Sequence, residues 1–317
     1  MTSEPMFRKV ALIGFGLIGG SIARGAKSLG LASEIVATAR SPQTRERVRE
    51  LGQEFGIVDQ VVETNAEAAE GADLIILCIP VGACGDVAKE IAPHLKHGAI
   101  VSDVGSVKAA VVKAMAPYLP EDIHFVPAHP VAGTENSGPD SGFAELFINR
   151  WCILTPPEGT NAEATEKLAA FWRTLGANVE IMTPEHHDLV LAVTSHLPHL
   201  IAYTIVGTAE ELEGVTQSEV LKFSAGGFRD FTRIAASDPT MWRDVFLTNK
   251  DAVLEMLGEF QEDLSKLTRA IRRGDGDALF DHFTRTRAIR RGIVQIGQDE
   301  AAPDFGRRHK QLGTKAE

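Results

Sequence analysis

The sequence predicts a doubly wound α/β domain with a mostly parallel sheet, followed by an all-helical domain. Three observations carry this expectation. Up to about residue 184, short and nearly continuous apolar runs alternate with helical stretches, the pattern of strands covered on both faces by crossover helices. The first apolar run leads directly into Gly14, Gly16 and Gly19, a spacing that allows a tight turn from strand to helix. Beyond Pro184 only helical periodicity remains, to about Gln298.

Taken in order, "KVALIG" (9–14) reads as a buried strand and the stretch to about Leu29 as a helix. "EIVATA" (34–39) is a strand, and "SPQTRERVRELG" starts a helix at Ser-Pro and closes it at Gly52, because proline suits the first helical position. Further strands are expected at "ADLIILCIP" (72–80), "AIVSDVG" (99–105), "IHFVPAHP" (123–130), "RWCILTP" (150–156) and "NVEIMTP" (178–184). The helical region should break near Gly226–Gly227 and at "GDGD" (274–277). The domains expected are therefore 1–184, 185–298 and a polar tail, 299–317, with no flexible linker at the first boundary.

With 317 residues, the chain has ample material for two domains. Its net charge of −11 argues against general nucleic-acid binding, yet a local cationic pocket can still hold a small anion. "RAIRRG", at 269–274 and again at 287–292, reads as solvated helix faces rather than a nucleic-acid patch. Cys78, Cys84 and Cys152 have no metal-type spacing and read as reduced thiols of a cytoplasmic protein. The early apolar stretch "VALIGFGLIGGSIA" is read as part of the fold, and no segment is expected to span a bilayer.

"GFGLIG" is a G-x-G-x-x-G series directly after a strand. In that context its glycines permit close approach of a pyrophosphate, which then rests on free amides at the helix N-terminus. The expected domain is therefore Rossmann-type, with NAD or NADP held by Gly14, Gly16, Leu17, Ile18 and Gly19. Ile79, Pro80, Val81 and Asp103, near the ends of two other strands, are further expected contacts. The second strand ends "ATARSPQTR", without an acid for the ribose 2′-hydroxyl. Arg40 and Ser41 there, with Arg45 near, slightly favour NADP.

"HPVAGTENSGP" places His129 beside a proline and follows it with small residues and Glu135. It ends the run "IHFVPA", so His129 is expected at a strand's carboxyl end, where open α/β sheets bind ligands. A histidine titrates near neutrality, which makes His129 the leading general-base candidate. Ser106 stands at the start of a helix after "SDVG". In the helical half, "SHLPHLIAY" holds His196 and His199, with Pro198 interrupting the helix, and offers no third ligand at a metal-site spacing. "GGFRDFTRIAASDPTMWRD" supplies Gly226, Arg229, Arg233 and Trp242. The planar guanidinium of Arg233 suits a substrate carboxylate; a salt bridge to Asp230 or Asp238 is the alternative, and Trp242 also reads as core or interface.

On "GFGLIGGS", "DVGSVK", "HPVAGTENSG", "SHLPH" and "GGFRDFTRIAASDPTMWRD", the chain resembles the prephenate/arogenate dehydrogenase family of tyrosine biosynthesis, over nearly all of residues 8–298. The resemblance implies a monofunctional, homodimeric enzyme that pairs through its helical domain. The implied reaction is oxidative decarboxylation of prephenate or arogenate, giving 4-hydroxyphenylpyruvate or tyrosine. His129 matches the histidine that takes the ring hydroxyl's proton as hydride leaves the same carbon, and Ser106 the serine that orients histidine and hydroxyl. His199 and Arg233 match substrate-binding residues, Glu135 an acid that gates the pocket, and Trp242 an aromatic that can come from the partner subunit. Many family members carry an Asp where "ATARS" stands, a departure that bears on cofactor choice. Two other readings stay open. A β-hydroxyacid dehydrogenase or imine reductase would rely on Lys222 or Tyr203, and a nucleotide-sensing protein would use the fold without catalysis.

Overall fold

The computed structural model describes residues 4–134, 136–211 and 226–295. Glu135, Lys222 and the tail from 299 lie outside the described residues. The chain forms two compact units, Met1–Met256 and Leu257–Glu317.

Six parallel strands, β1 (Phe7–Ile13), β2 (Ala32–Thr38), β3 (Gln60–Val61), β4 (Leu74–Leu77), β5 (Ile100–Asp103) and β6 (His124–Phe125), form a sheet in the order β3-β2-β1-β4-β5-β6. This is the doubly wound dinucleotide-binding order. Successive side chains point to opposite faces. Val10, Leu12, Leu74 and Ile76 thus enter one hydrophobic core, while Ala11, Ile13, Ile75 and Leu77 enter the other. Ile13 pairs with both Thr38 and Leu77, and Leu77 with Asp103. The carboxyl ends of the four central strands are therefore level, and the loops leaving them share one edge.

Helix α1 (Leu17–Ser28) follows β1, and α2 (Pro42–Phe55) follows β2. Ser41 caps α2 by accepting from the Thr44 amide, with Pro42 in the first turn. The helix runs through the expected stop at Gly52 and ends at Gly56, whose φ is 64°. Gly52 is instead a packing glycine, since a Cβ there would stand 2.7 Å from Val58 Cγ2. Helices α3 (Asn65–Ala69), α4 (Cys84–Ile91) and α5 (Ala109–Met115) complete the crossovers. The three cysteines are unbridged, and burial pushes the Cys84 thiol up to about 12.

The run expected as one strand at 123–130 divides. β6 ends at Phe125, and β7 (Ala128–Pro130) belongs to a second sheet, β7-β8-β9, with β8 at Trp151–Leu154 and β9 at Asn178–Ile181. β7 runs antiparallel to β8, which pairs in parallel with β9. The cause is Pro127, which has no N–H to continue the first ladder. Val126 makes the last bond to that sheet, donating to Val101 O, and the Pro127 carbonyl already accepts from Thr155 in the next strand segment. His129 therefore sits inside a short strand of a separate sheet, not at the carboxyl end of a parallel strand. Helix α6 (Ala162–Thr174) joins β8 to β9.

Thr183 caps α7 (Pro184–Leu191), which continues through a π-helical turn (Ala192–His196) into α8 (Leu197–Glu211). Pro198 does not interrupt this helix. The wider turn before it takes up the ring and the missing N–H, as π-bulges do. The continuous helix Pro184–Glu211 is also long and apolar enough, by length and composition, to cross a membrane, contrary to the expectation that no segment would be. Its inward side nevertheless holds His187, Asp188 and His196, all buried within the protein. After residue 225 come α9 (Gly226–Thr232), a 3₁₀ turn (Arg233–Ala236), α10 (Pro239–Thr248), α11 (Lys250–Arg273) and α12 (Gly276–Gln295). The break expected at "GDGD" is present, with Gly274 at a φ of 65°.

Candidate active site

At the level edge of the sheet, Gly14 turns the chain with a φ of 94°, a conformation that side chains other than glycine rarely adopt. Its amide donates to Thr38 O at 2.9 Å, and a Cβ there would stand 2.3 Å from the Cys78 carbonyl oxygen. A Cβ on Gly19 would meet Gly14 O at 2.6 Å, which holds α1 against its strand. A Cβ on Gly16 would have nothing within 4 Å, and no side chain caps the helix there. The first-turn amides of Leu17, Ile18 and Gly19 thus face an open cradle, the setting that suits a pyrophosphate. Ile79 packs beside Gly14, and Val81 beside Gly105. Pro80 caps the short turn that starts at Val81.

Past β2, Ser41 is engaged as the α2 cap. Arg45 donates to Ala39 O at 2.7 Å and Arg40 O at 3.1 Å, and pairs with Glu63 at 2.6 Å. Arg40 is exposed on the same loop. Asp103 is fully buried, accepts from the Gly105 amide at 2.8 Å and forms an ion pair with the equally buried Lys108 ammonium. Lys108 Nζ also donates to Ala128 O at 2.8 Å. This tie links the end of β5 to β7, next to His129.

His129 is 8% exposed. Its Nδ1 lies 2.8 Å from His187 Nε2, and His187 Nδ1 lies 2.8 Å from Asp188 Oδ1. Asp188 further accepts the amides of Lys108 at 2.7 Å and Ala109 at 2.9 Å. Burial, with the charges of His187, Lys108 and His196, holds the His129 imidazole well below its ordinary value. Burial also lowers His187, opposed by the Asp188 carboxylate. His129 is thus a neutral ring near pH 7, able to accept a proton.

His196 lies beside this row. Asn249 Nδ2 donates to Asp188 O at 2.8 Å and meets His196 Nδ1 at 3.1 Å. The His196 ring also faces the Ser106 backbone, an interaction that opposes the effect of burial. Burial lowers this ring to about 4. Trp242 meets His196 edge-on at 6.0 Å and stacks on His199 at 3.7 Å and 24°. It is therefore packed within its own chain, where Val107 and Val245 also cover it. His199 Nδ1 lies 2.8 Å from Ser195 O, so its Nε2 is the nitrogen left for other partners. The ring is lowered by burial and by the Arg233 charge.

Of the expected residues, the first unit therefore connects His129, His196, Trp242, His199 and Arg233 through successive contacts and charge interactions. Gly226 begins α9, and Arg233 follows directly after that helix ends at Thr232. His187, Asp188, Lys108 and Asn249 were not expected. Nothing local separates buried His187 from exposed His186 in "EHHD". Only the adjacent acid and the helix start are visible in the sequence. Among the described residues, no group of three or more His, Cys, Asp or Glu side chains is placed to hold a metal ion.

Comparison with known proteins bears on this arrangement. Residues 22–181 match the family model for the prephenate dehydrogenase nucleotide-binding domain, and residues 183–285 the one for the prephenate dehydrogenase dimerization domain. The chain is 44% identical to cyclohexadienyl dehydrogenase of Zymomonas mobilis over 285 residues, 90% of this chain and 96% of that protein. It is 34% identical to prephenate dehydrogenase of Bacillus subtilis, over 93% of this chain and 78% of the relative. The structure of Aquifex aeolicus prephenate dehydrogenase with hydroxyphenyl propionate and NAD+ superposes with a TM-score of 0.82 at 33% identity, covering 90% of this chain and 98% of that one. Gly-rich cradle, enclosed histidine and helical second half agree with these likenesses: the chain belongs to the prephenate dehydrogenase family and is a dehydrogenase of that class.

Proposed function

We propose that the chain oxidatively decarboxylates prephenate, arogenate or both, with His129 as the base that takes the proton of the ring hydroxyl. The observation that carries this reading is a buried, neutral His129 held within one unit with the His199–Trp242 stack and Arg233. Bound NAD(P)+ supplies the hydride acceptor, and the Gly14–Gly19 cradle holds its pyrophosphate. Arg233 and His199 bind substrate carboxylate, Ser106 orients the hydroxyl, and Trp242 walls the ring's pocket. Glu135 and Gly226 are assigned to that pocket by their family motifs. Loss of the ring carboxylate as CO₂ then gives the aromatic product.

For the cofactor, the loop after β2 presents exposed Arg40 and no acid, which slightly favours NADP. NAD+ is the cofactor in the Aquifex aeolicus complex. Residues 1–184 form the nucleotide-binding domain in this reading, and 185–298 the substrate and dimerisation domain of a cytoplasmic homodimer. In the second unit, Leu264, Ile271, Phe280, Phe283 and Ile289 are each more than half exposed, an apolar face that a second copy would cover. Tyr203, the hydroxyacid-dehydrogenase alternative, donates its hydroxyl to Ser237 O at 2.8 Å. Absorbance at 340 nm with prephenate, arogenate and simple hydroxyacids, each crossed with NAD+ and NADP+, tests the proposal. Activity confined to the hydroxyacids, or no activity at all, would remove it.

A further inference from the structure

We infer that Asp188 and His187 are positioning residues that fix the tautomer of His129, leaving its Nε2 as the basic nitrogen. This rests on the reading of His129 as the base and adds the source of its orientation. Both Asp188 oxygens accept backbone amides, from Lys108 and Ala109. An ionised carboxylate can only accept, so the His187 Nδ1 facing Oδ1 must carry the hydrogen. In a neutral imidazole the other nitrogen is then a lone pair. His187 Nε2 is therefore an acceptor, and the His129 Nδ1 that meets it must be the donor. By the same rule His129 Nε2 is the free lone pair.

The row matters because burial works against His129 as a base. A ring removed from water resists becoming an imidazolium. When His129 Nε2 gains a proton, its Nδ1–H still donates to His187, whose own N–H still donates to the Asp188 carboxylate. The new cation thus feels a fixed anion at the far end of the row, with no group needing to reorient. The charged and titratable groups facing the row are Lys108 and Asp103 from the β5–α5 segment, His196 from the π turn and Cys152 from β8, whose thiol burial pushes up and so keeps neutral. Lys108 and Asp103 are paired with each other. Asp188 is the acid in direct contact with the His187 imidazole.

The test uses the full chain and three variants: His187→Gln, His187→Leu and Asp188→Asn. Long-range ¹⁵N–¹H spectra of the histidines should show His129 with its hydrogen on Nδ1 in the wild type and a changed or mixed tautomer in His187→Leu. With prephenate and the preferred cofactor, His187→Leu should lose about 100-fold in kcat, within the range of general-base catalysis, with KM changed less than threefold. His187→Gln keeps an acceptor for His129 and a donor for Asp188, and should retain at least ten times the kcat of the leucine variant. Asp188→Asn should move the acidic limb of the kcat–pH profile to lower pH, since the ring loses its stabilising anion. Hydrogen found on Nε2 of His129 in the wild type, or the same kcat and pH limb in all four proteins, overturns the assignment. Should the wild type leave prephenate untouched, the functional reading fails, while the spectra still decide the tautomer.

Discussion

In the proposed reaction His129 combines enclosure with the duty of receiving a proton, and the two make opposite demands on an imidazole. Replacing it by Asn preserves size and polarity but removes the titratable nitrogen. His129→Asn should lower kcat by about 10²–10⁴-fold, with cofactor affinity, read by fluorescence titration, unchanged. Turnover near that of the wild type would take His129 out of the mechanism. Arg233, the proposed carboxylate binder, lies where its charge reaches His199. Removing one member of a charge pair with a substrate commonly costs about 2–5 kcal/mol. Arg233→Ala should therefore raise KM by about 30-fold or more, and an unchanged KM would count against carboxylate binding. His129, His199, Arg233 and Trp242 stood out in the sequence because each lies in a motif of unusual residues, and the structure links them by contacts and charge. His187 and Asn249 were not, because their roles depend on partners 58 and 53 residues away, and no local pattern reports such a meeting.

Elements were most legible where a local rule and the global fold agree. The glycine series after β1 and the Ser-Pro start of α2 are of this kind. They failed where packing or one missing N–H overrode the pattern. Gly52 looked like a stop and is a contact with Val58, Pro127 divides an apolar run between two sheets, and Pro198 is absorbed by the π turn. The same physics yields a prediction at Gly14. A methyl group there meets the Cys78 carbonyl at 2.3 Å while the backbone stays at a φ of 94°. Gly14→Ala must therefore shift the turn that shapes the nucleotide cradle. Binding of NAD(P)+ by calorimetry should fall by at least tenfold, with far-UV dichroism retained. Gly16→Ala, where the added methyl meets no protein atom within 4 Å, should leave the fold's melting temperature unchanged and affect only the cofactor. Equal losses of melting temperature in the two variants would contradict this division.

For the molecule as a whole, gathering four lowered histidines in one region ties stability to pH. Burial is the leading cause at His129, His187, His196 and His199 alike, and each is lowered from its ordinary value. The unfolded chain binds protons at these rings near pH 6.5, whereas the folded chain does so only at lower pH. The unfolded state thus holds more protons in this window, and stability must rise with pH there. It is complete above about 6.5 and is lost as pH falls, with the His196 share fully lost only below about 4. That ring alone should remove on the order of 3 kcal/mol between pH 7 and 4. The lowered carboxyls, such as Glu63, Asp73 and Asp140, start from ordinary values near 4 and act mainly below this window. Urea unfolding at intervals between pH 7.5 and 4.5 should therefore show a falling free energy well before the carboxyls titrate. His196→Gln keeps an acceptor for Asn249 but cannot titrate, so its curve should be flatter than the wild type's. Parallel curves for the two proteins would show that the enclosed imidazole carries none of the acid sensitivity.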